Sequence, residues 1–449
     1  MIHWLARAAS MHPERTAIVD SAGAIGYTQL QERAAAVSAA LRERGVRAGD
    51  RVALELPPGV EFAATLHGCW CAGAVAVPID LRLSTEDRAT RAVGAAFVVD
   101  RPLVWRPEDG GRAARAALGA DQALVHAAGG VATAAVTGFE PDAIAVALQT
   151  SGTTAAPRPV ELTYGNFLWS ALASAVALGL DQRERWLCPM PLAHVGGLSI
   201  PIRSAIYGTT AVLHERFDTD AVCAALMDPE QRVTLVSLVP TMLARLLHAG
   251  LREPPALRWA LLGGGPIPDA LLARARDAGV PVAPTYGMTE ACSQIATHGH
   301  PLTGVELRAD GGEVAVRGPI VAPGSVGEDG WLHTGDLGTF DQRSGLVITG
   351  RVSDTIITGG ENVAPAEVEQ ALLEHPAVAD AAVHSRPDPQ WGEAVVASVV
   401  LRDRAIADPA ELRAFCAARL APYKVPKAVA FVARLPRTES GKLLRRKLS

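Results

Sequence analysis

The feature that most limits the fold of this chain is an alternation of short apolar, β-branched runs with longer Ala/Leu-rich stretches of helical period. Val52-Ala-Leu-Glu-Leu56, Ala74-Val-Ala-Val-Pro78 and Ile144–Leu148 read as strands, as do residues 234–238, 257–262 and 281–284. Residues 61–70 read as a helix, and Thr28-Gln-Leu-Gln31 opens an earlier one in capping-box form, with Leu30, Ala34, Val37 and Leu41 on one face and Gly45 at its stop. Repeated strand–helix units of this kind build largely parallel sheets, so the expected class is α/β. Each strand runs into a polar or Gly-rich turn, and open α/β sheets take their ligands at such carboxyl ends.

From about Gly304 the texture changes to shorter, Gly-punctuated strands such as Glu313–Arg317, which suggests a small β-rich subdomain. A second boundary falls near Gly350, giving an expected large N-terminal domain over 1–350 and a small α+β domain over 351–449. In the latter, residues 365–374 and 409–418 read as helices, and 378–384, 394–401 and 428–431 as strands. The Ala-rich stretch 112–137 reads as a surface helix and loop.

Composition removes several function classes. Among 449 residues, 42 Lys and Arg face 47 Asp and Glu, a formal net charge of −5. That balance offers no basic field for nucleic acid or an anionic membrane. No run of about 18 apolar residues is present, and Met1-Ile-His-Trp-Leu-Ala-Arg lacks the order of a signal peptide, so a cytoplasmic protein is expected. The 6 cysteines sit at no zinc-ligand spacing and read as reduced, mostly buried thiols. Lysine occurs only at 424, 427, 442 and 447, so each lysine is informative.

Six segments carry chemistry. Thr150-Ser-Gly-Thr-Thr-Ala-Ala-Pro-Arg158 follows an apolar strand with hydroxyls and flexible N–H groups that suit phosphate, without the Gly-Lys-Ser/Thr of a Walker loop. Leu262-Gly-Gly-Gly265-Pro lets a flat ligand approach the backbone. Thr285-Tyr-Gly-Met-Thr-Glu290 brings an aromatic ring, a hydroxyl and a carboxylate together, and Glu290 can hold Mg²⁺ against phosphate oxygens. Trp331-Leu-His-Thr-Gly-Asp336 supplies a carboxylate able to accept from a ribose diol. Gly350-Arg351-Val-Ser-Asp354-Thr-Ile-Ile-Thr-Gly-Gly-Glu-Asn-Val-Ala-Pro365 supplies a guanidinium, and Pro436-Arg-Thr-Glu-Ser-Gly441-Lys442 a mobile ammonium. Taken singly, each also reads as an ordinary turn or a solvated surface residue.

In content and order these six segments resemble the adenylate-forming superfamily of acyl-CoA synthetases, luciferases and peptide-synthetase adenylation domains. The resemblance runs from Tyr27 to Lys442. Tyr164-Gly-Asn-Phe-Leu-Trp-Ser170, Pro189-Met-Pro-Leu-Ala-His194-Val-Gly-Gly-Leu-Ser199 and Arg203-Ser-Ala-Ile-Tyr207-Gly look more narrowly like the o-succinylbenzoate–CoA ligases of menaquinone biosynthesis.

The resemblance implies a two-domain fold with a mobile C-terminal domain, and ATP, Mg²⁺, CoA and a small carboxylic acid as ligands. It implies Lys442, His194 and Glu290 as catalytic residues, with Glu290 on the metal. Thr150, Ser151, Gly152, Thr153, Thr154, Arg158, Gly264, Gly265, Tyr286, Thr289, Asp336 and Arg351 are implied to bind ATP or AMP. His194, Gly197, Ser199, Gly287 and Met288 would line the acid pocket, Ser353 would mark the hinge, and Gly359 and Gly360 would face CoA. Arg203 reads either as the cation for a second carboxylate or as an exposed helical Arg. A homodimer is the candidate assembly.

Where relatives have Gly, Lys and Gly in the phosphate loop, this chain has Ala155, Arg158 and Pro159, and the expected effect is weakened pyrophosphate contact. Three readings therefore stand: an o-succinylbenzoate–CoA ligase, another acid-activating enzyme for an aryl or medium-chain acid or a carrier protein, and an inactive adenylate-binding protein.

Overall fold

The computed structural model describes residues 3–103, 138–149, 159–310, 312–341, 345–437 and 443–448. The stretch 112–137 read above as helix and loop lies outside them. Two sheets dominate the first part of the chain. One has the strand order Phe97–Val99, Arg51–Leu54, Val75–Pro78, Ile144–Leu148, Val160–Thr163, parallel except for its last strand. The second has nine strands. Its parallel centre runs Val282–Met288, Trp259–Leu262, Leu235–Leu238, Arg185–Cys188, Thr210–Leu213, Thr16–Asp20. Antiparallel strands close both edges, Ser293–Thr297 with His300–Pro301 on one side and Gly23–Gly26 on the other.

The largest core lies between these sheets, joining Val52, Leu54 and Leu148 of the first to Ile18, Trp186 and Leu213 of the second. Helices Val60–Ala72 and Val195–Tyr207 run through it, buried on every side, which explains why their sequences show little amphipathic contrast. The early helix is Tyr27–Glu43, and its cap differs from the expectation at Thr28. Gly26 is the N-cap, and Gln29 Oε1 accepts its N–H at 3.3 Å, while the Thr28 hydroxyl donates to the Pro13 carbonyl at 3.1 Å. Thr28 finds a carbonyl outside the helix and so is not needed as the cap.

The β-rich change near Gly304 is an antiparallel sheet of Glu306–Asp310, Glu313–Arg317, Leu332–Asp341 and Gly345–Arg351. A short turn, Val352–Asp354, follows it directly. A last sheet then forms from Glu361–Val363, Ile356–Thr358, Gly392–Leu401 and Val378–Asp388, with Ala428–Phe431 parallel to Gly392–Leu401. Helices Pro365–Leu373 and Pro409–Ala417 cover it around a separate core of Val368, Leu372, Val395 and Leu412. Among the described residues, no helix is long and apolar enough to cross a membrane. The cysteines are free thiols, and Cys69, Cys188, Cys292 and Cys416 are buried.

Candidate active site

Strand Val282–Met288 carries Tyr286 to the edge of the second sheet, and strand Leu332–Asp341 carries Asp336 towards it. The Tyr286 hydroxyl donates to Asp336 Oδ2 at 2.8 Å, and Arg351 Nε donates to Oδ1 at 2.6 Å. Asp336 and Arg351 are register partners on adjacent strands, so the pairing is set by the sheet itself. Asp336 is 5% exposed, yet two of the four acceptor positions of its carboxylate stay unused by these contacts, a match for two neighbouring hydroxyls. Burial first, then the Asp336 charge, pushes the Tyr286 hydroxyl above its ordinary pKa, so it stays a donor.

The glycine turn after Trp259–Leu262 is shaped residue by residue. A Cβ on Gly263 would lie 2.7 Å from Thr285 Cγ2, Gly264 has φ +81°, and a Cβ on Gly265 would meet nothing within 4 Å. The backbone at Gly265 is thus bare and accessible. Gly287 is fixed by packing: a Cβ there would lie 1.6 Å from the Ser293 carbonyl oxygen, across the bulge where Val282–Met288 meets Ser293–Thr297. Met288 packs beside Tyr286 on an apolar cluster. Thr289 and Glu290 lie in the short turn Thr289–Ala291, where the Glu290 carbonyl accepts from Ala322 N at 2.8 Å.

The half-buried Glu290 carboxylate has no hydrogen-bond or ion-pair partner among the described residues. Among those residues, no group of three or more His, Cys, Asp or Glu is arranged to hold a metal. A divalent cation at Glu290 therefore needs oxygens from phosphate and water, the coordination Mg²⁺ favours.

His194 caps helix Val195–Tyr207 at the carboxyl end of Arg185–Cys188. Gly197 allows the tight entry, since a Cβ there would lie 2.4 Å from the Pro191 carbonyl oxygen. Ser199 is buried, and its hydroxyl donates to Gly196 within the helix at 3.2 Å.

The His194 ring meets two residues that sequence reading missed. Arg82 donates through Nε and Nη2 to the two Asp80 oxygens at 2.9 and 2.6 Å, and Arg82 Nη2 lies 3.1 Å from His194 Nε2. A guanidinium has no acceptor, so in that contact Nε2 accepts and Nδ1 carries the ring proton. Burial alone would raise the Asp80 pKa, but the hydrogen bonds from the Arg82 side chain and backbone N–H hold it well below the usual carboxylate range. The signal available was an acid–base doublet, Asp80-Leu-Arg82, directly after a parallel strand. Arg203, which sequence left between a substrate cation and an exposed Arg, is fully buried, so the exposed alternative is corrected.

In the last part of the chain, Gly359 and Gly360 have φ of +60° and +87° and form the two-residue turn between Ile356–Thr358 and Glu361–Val363. Gly359 N donates to the Trp391 carbonyl at 2.8 Å, and a Cβ on Gly359 would lie 2.9 Å from Trp391 Cε3. Lys427 Nζ stands 4.7 Å from the centroid of the Trp391 ring. Ser353 sits in the exposed turn Val352–Asp354. Arg445 donates through Nη1 to Asp354 at 2.9 Å and through Nη2 to both Glu369 oxygens at 2.7 Å. Lys442, and Thr150, Ser151, Gly152, Thr153, Thr154 and Arg158 of the phosphate loop, lie outside the described residues.

Residues 5–326 match the family model of the AMP-binding enzymes, and residues 367–442 match that of the AMP-binding enzyme C-terminal domain. The chain belongs to the AMP-binding enzyme family.

Within it, the chain is 38% identical to a 2-succinylbenzoate–CoA ligase of Bacillus licheniformis, over 99% of each chain. The o-succinylbenzoate CoA synthetase of Bacillus subtilis, in complex with the acyl-adenylate intermediate OSB-AMP, superposes with a TM-score of 0.86 at 35% identity, covering 100% of this chain and 98% of that one. The same enzyme in complex with ATP and magnesium ion gives 0.84 at 35% identity, covering 100% and 99%.

Proposed function

We propose that this chain is an AMP-forming acid–thiol ligase that converts o-succinylbenzoate to o-succinylbenzoyl-CoA, a step of menaquinone biosynthesis. A carboxylate resists attack by a thiol because it is resonance-stabilised and negatively charged. ATP changes that: a carboxylate oxygen attacks the α-phosphorus, the bond to the β-phosphate bridging oxygen breaks, and pyrophosphate leaves. The CoA thiol then loses its proton and attacks the acyl carbon, and AMP departs with the former carboxylate oxygen. The observation carrying the reading is the convergence of Tyr286 and Arg351 on the Asp336 carboxylate, with Glu290 in the turn that follows the Tyr286 strand, in a chain whose full-length relatives are 2-succinylbenzoate–CoA ligases.

In this reading Asp336 accepts from the ribose hydroxyls, Gly264, Gly265 and Tyr286 border the adenine, and Glu290 holds Mg²⁺, which neutralises charge on the phosphates when bound. Thr150 to Thr154 and Arg158 bind the β- and γ-phosphates. Lys442 stabilises charge developing at the α-phosphate, the kind of preorganised contact that contributes most to such steps. His194, oriented by Asp80 and Arg82, faces the acid together with Gly197, Ser199, Gly287 and Met288. The domains divide at 350/351, with the hinge at Ser353. Gly359, Gly360, Trp391 and Lys427 form the CoA side. A cytoplasmic location and a homodimeric assembly belong to the same reading.

The test is pyrophosphate release over a panel of acids, with and without CoA. Turnover on o-succinylbenzoate above all other acids is the expected result. Turnover only on simple benzoates or fatty acids would move the assignment to another acyl-CoA ligase, and no ATP cleavage with any acid would leave only an adenylate-binding protein.

A further inference from the structure

Arg203 lies two turns into helix Val195–Tyr207 and is 2% exposed. Its Nη2 donates to Ser170 Oγ at 2.9 Å, its Nε has no acceptor, and no carboxylate pairs with it among the described residues. Trp186 lies beside it, with the ring centroid 5.6 Å from the guanidinium carbon. Burial lowers its pKa from the ordinary arginine value. A buried cation without an anion is a costly placement, and Met or Leu would fill the same volume more favourably. Packing alone therefore does not account for it.

The contact continues beyond Ser170. The Ser170 hydroxyl donates its single proton to the Cys292 carbonyl at 2.7 Å. Cys292 stands two residues past Glu290, and Cys292 and Ser293 have φ of +50° and +96°, a region that residues with side chains occupy only when held there. One turn before Ser170 on the same helix, Asn166 Nδ2 donates to the Pro319 and Val321 carbonyls at 2.9 and 3.0 Å. The neighbouring Ala322 N–H is the donor to the Glu290 carbonyl. Asn166 and Ser170 thus grip the Glu290 turn from both sides, and Arg203 fixes the rotor of the second of them.

We propose that Arg203 is a positioning residue for the metal-binding turn: through Ser170 it holds the Cys292 carbonyl, sets the direction of the Glu290 carboxylate, and ties that turn to the helix that begins at His194. The charge has a purpose here, because a guanidinium donor polarises the Ser170 hydroxyl and strengthens its donation to Cys292. The proposal rests on the reading of Glu290 as the Mg²⁺ ligand.

The test compares Arg203→Met, Arg203→Lys, Ser170→Ala and Glu290→Gln in thermal unfolding and in Mg²⁺ titrations of acid-dependent pyrophosphate release. Arg203→Met is expected to unfold at the parent temperature or above it, while its half-saturating Mg²⁺ rises about tenfold, the scale of one lost charge-assisted hydrogen bond. Arg203→Lys should recover part of that shift, and Ser170→Ala should move in the same direction as Arg203→Met. Half-saturation within about twofold of the parent in both Arg203→Met and Ser170→Ala would overturn the proposal, as would an activity loss that simply follows a fall in unfolding temperature. If Glu290→Gln left the Mg²⁺ dependence unchanged, the reading of Glu290 itself would fall. A shifted Glu290→Gln beside an unshifted Arg203→Met removes the Arg203 role alone.

Discussion

The hydroxyl of Tyr286 donates a 2.8 Å hydrogen bond to Oδ2 of Asp336, 50 residues further along the chain. The other oxygen, Oδ1, is held by Arg351. The carboxylate is therefore oriented from both sides before any nucleotide arrives, and preorganisation of this kind lowers the cost of binding.

Tyr286→Phe removes one donor and leaves the Arg351 contact. A hydrogen bond to a charged group contributes about 1.5–3 kcal/mol, so KM for ATP should rise roughly tenfold or more with a smaller change in kcat. Asp336→Ala removes the acceptor itself and should have the larger effect. Steady-state kinetics with varied ATP checks both, and a Tyr286→Phe enzyme with parental KM would show that Arg351 alone suffices.

Lys442→Ala and Arg445→Ala separate chemistry from architecture three residues apart. If Lys442 acts as a single transition-state donor, its loss should slow acyl-AMP formation about 10²- to 10³-fold, leave unfolding unchanged, and spare thioester formation from supplied acyl-AMP. Arg445→Ala instead leaves the buried Glu369 without its bidentate partner and frees Asp354 in the turn Val352–Asp354. Its stability should fall by about 2 kcal/mol or more, read as a lower denaturant midpoint.

Much of this site was legible because each strand ends in its own chemical signature. Tyr286 lies near the carboxyl end of a strand of the largely parallel sheet, where such sheets take their ligands, while Asp336 sits within Leu332–Asp341 and is brought opposite Arg351 by antiparallel register. Asp80 and Arg82 escaped notice because their partner His194 lies more than a hundred residues away, and an isolated Asp-Leu-Arg reads as a solvated ion pair. Arg203 was ambiguous for a related reason: sequence periodicity reveals an amphipathic face, but helix Val195–Tyr207 is buried all round and shows no polar side against which an arginine stands out.

His3 and His67 predict an acid limit to stability. They are 7% and 1% exposed, with ring centroids 6.0 Å apart, and Cys71 Sγ lies 3.2 Å from His3 Nε2. Burial lowers the His3 pKa to about 4, and burial followed by the His3 charge lowers that of His67 well below its usual value. Both folded-state values lie beneath the unfolded one near 6.5, so the unfolded chain binds more protons as pH falls. Stability should be flat above about pH 7 and fall between pH 6.5 and 4, by about 1.4 kcal/mol per pH unit for each histidine. Urea midpoints at several pH values test this. His3→Phe should reduce the slope by about one proton, and an unchanged slope would remove His3 from the account.

The two half-reactions should also come apart at Gly359. Its φ of +60° and the 2.9 Å approach of a Cβ to Trp391 make Gly359→Ala a strained change that must push the indole aside. Lys427 over the same ring supplies a positive charge next to a flat apolar surface, suited to a phosphate-bearing adenine. None of these atoms touches Tyr286, Asp336 or Glu290 among the described contacts, so acid-dependent pyrophosphate release without CoA should stay within about twofold of the parent in Gly359→Ala and Lys427→Ala. Thioester formation should suffer instead, with KM for CoA raised about threefold to tenfold by Lys427→Ala, the range expected from losing one cation–π-linked charge contact. Stopped-flow measurement of each half-reaction distinguishes the outcomes: equal losses in both would mean that the Gly359–Trp391–Lys427 face serves the fold rather than CoA, and no loss in either would place the acceptor elsewhere on the molecule.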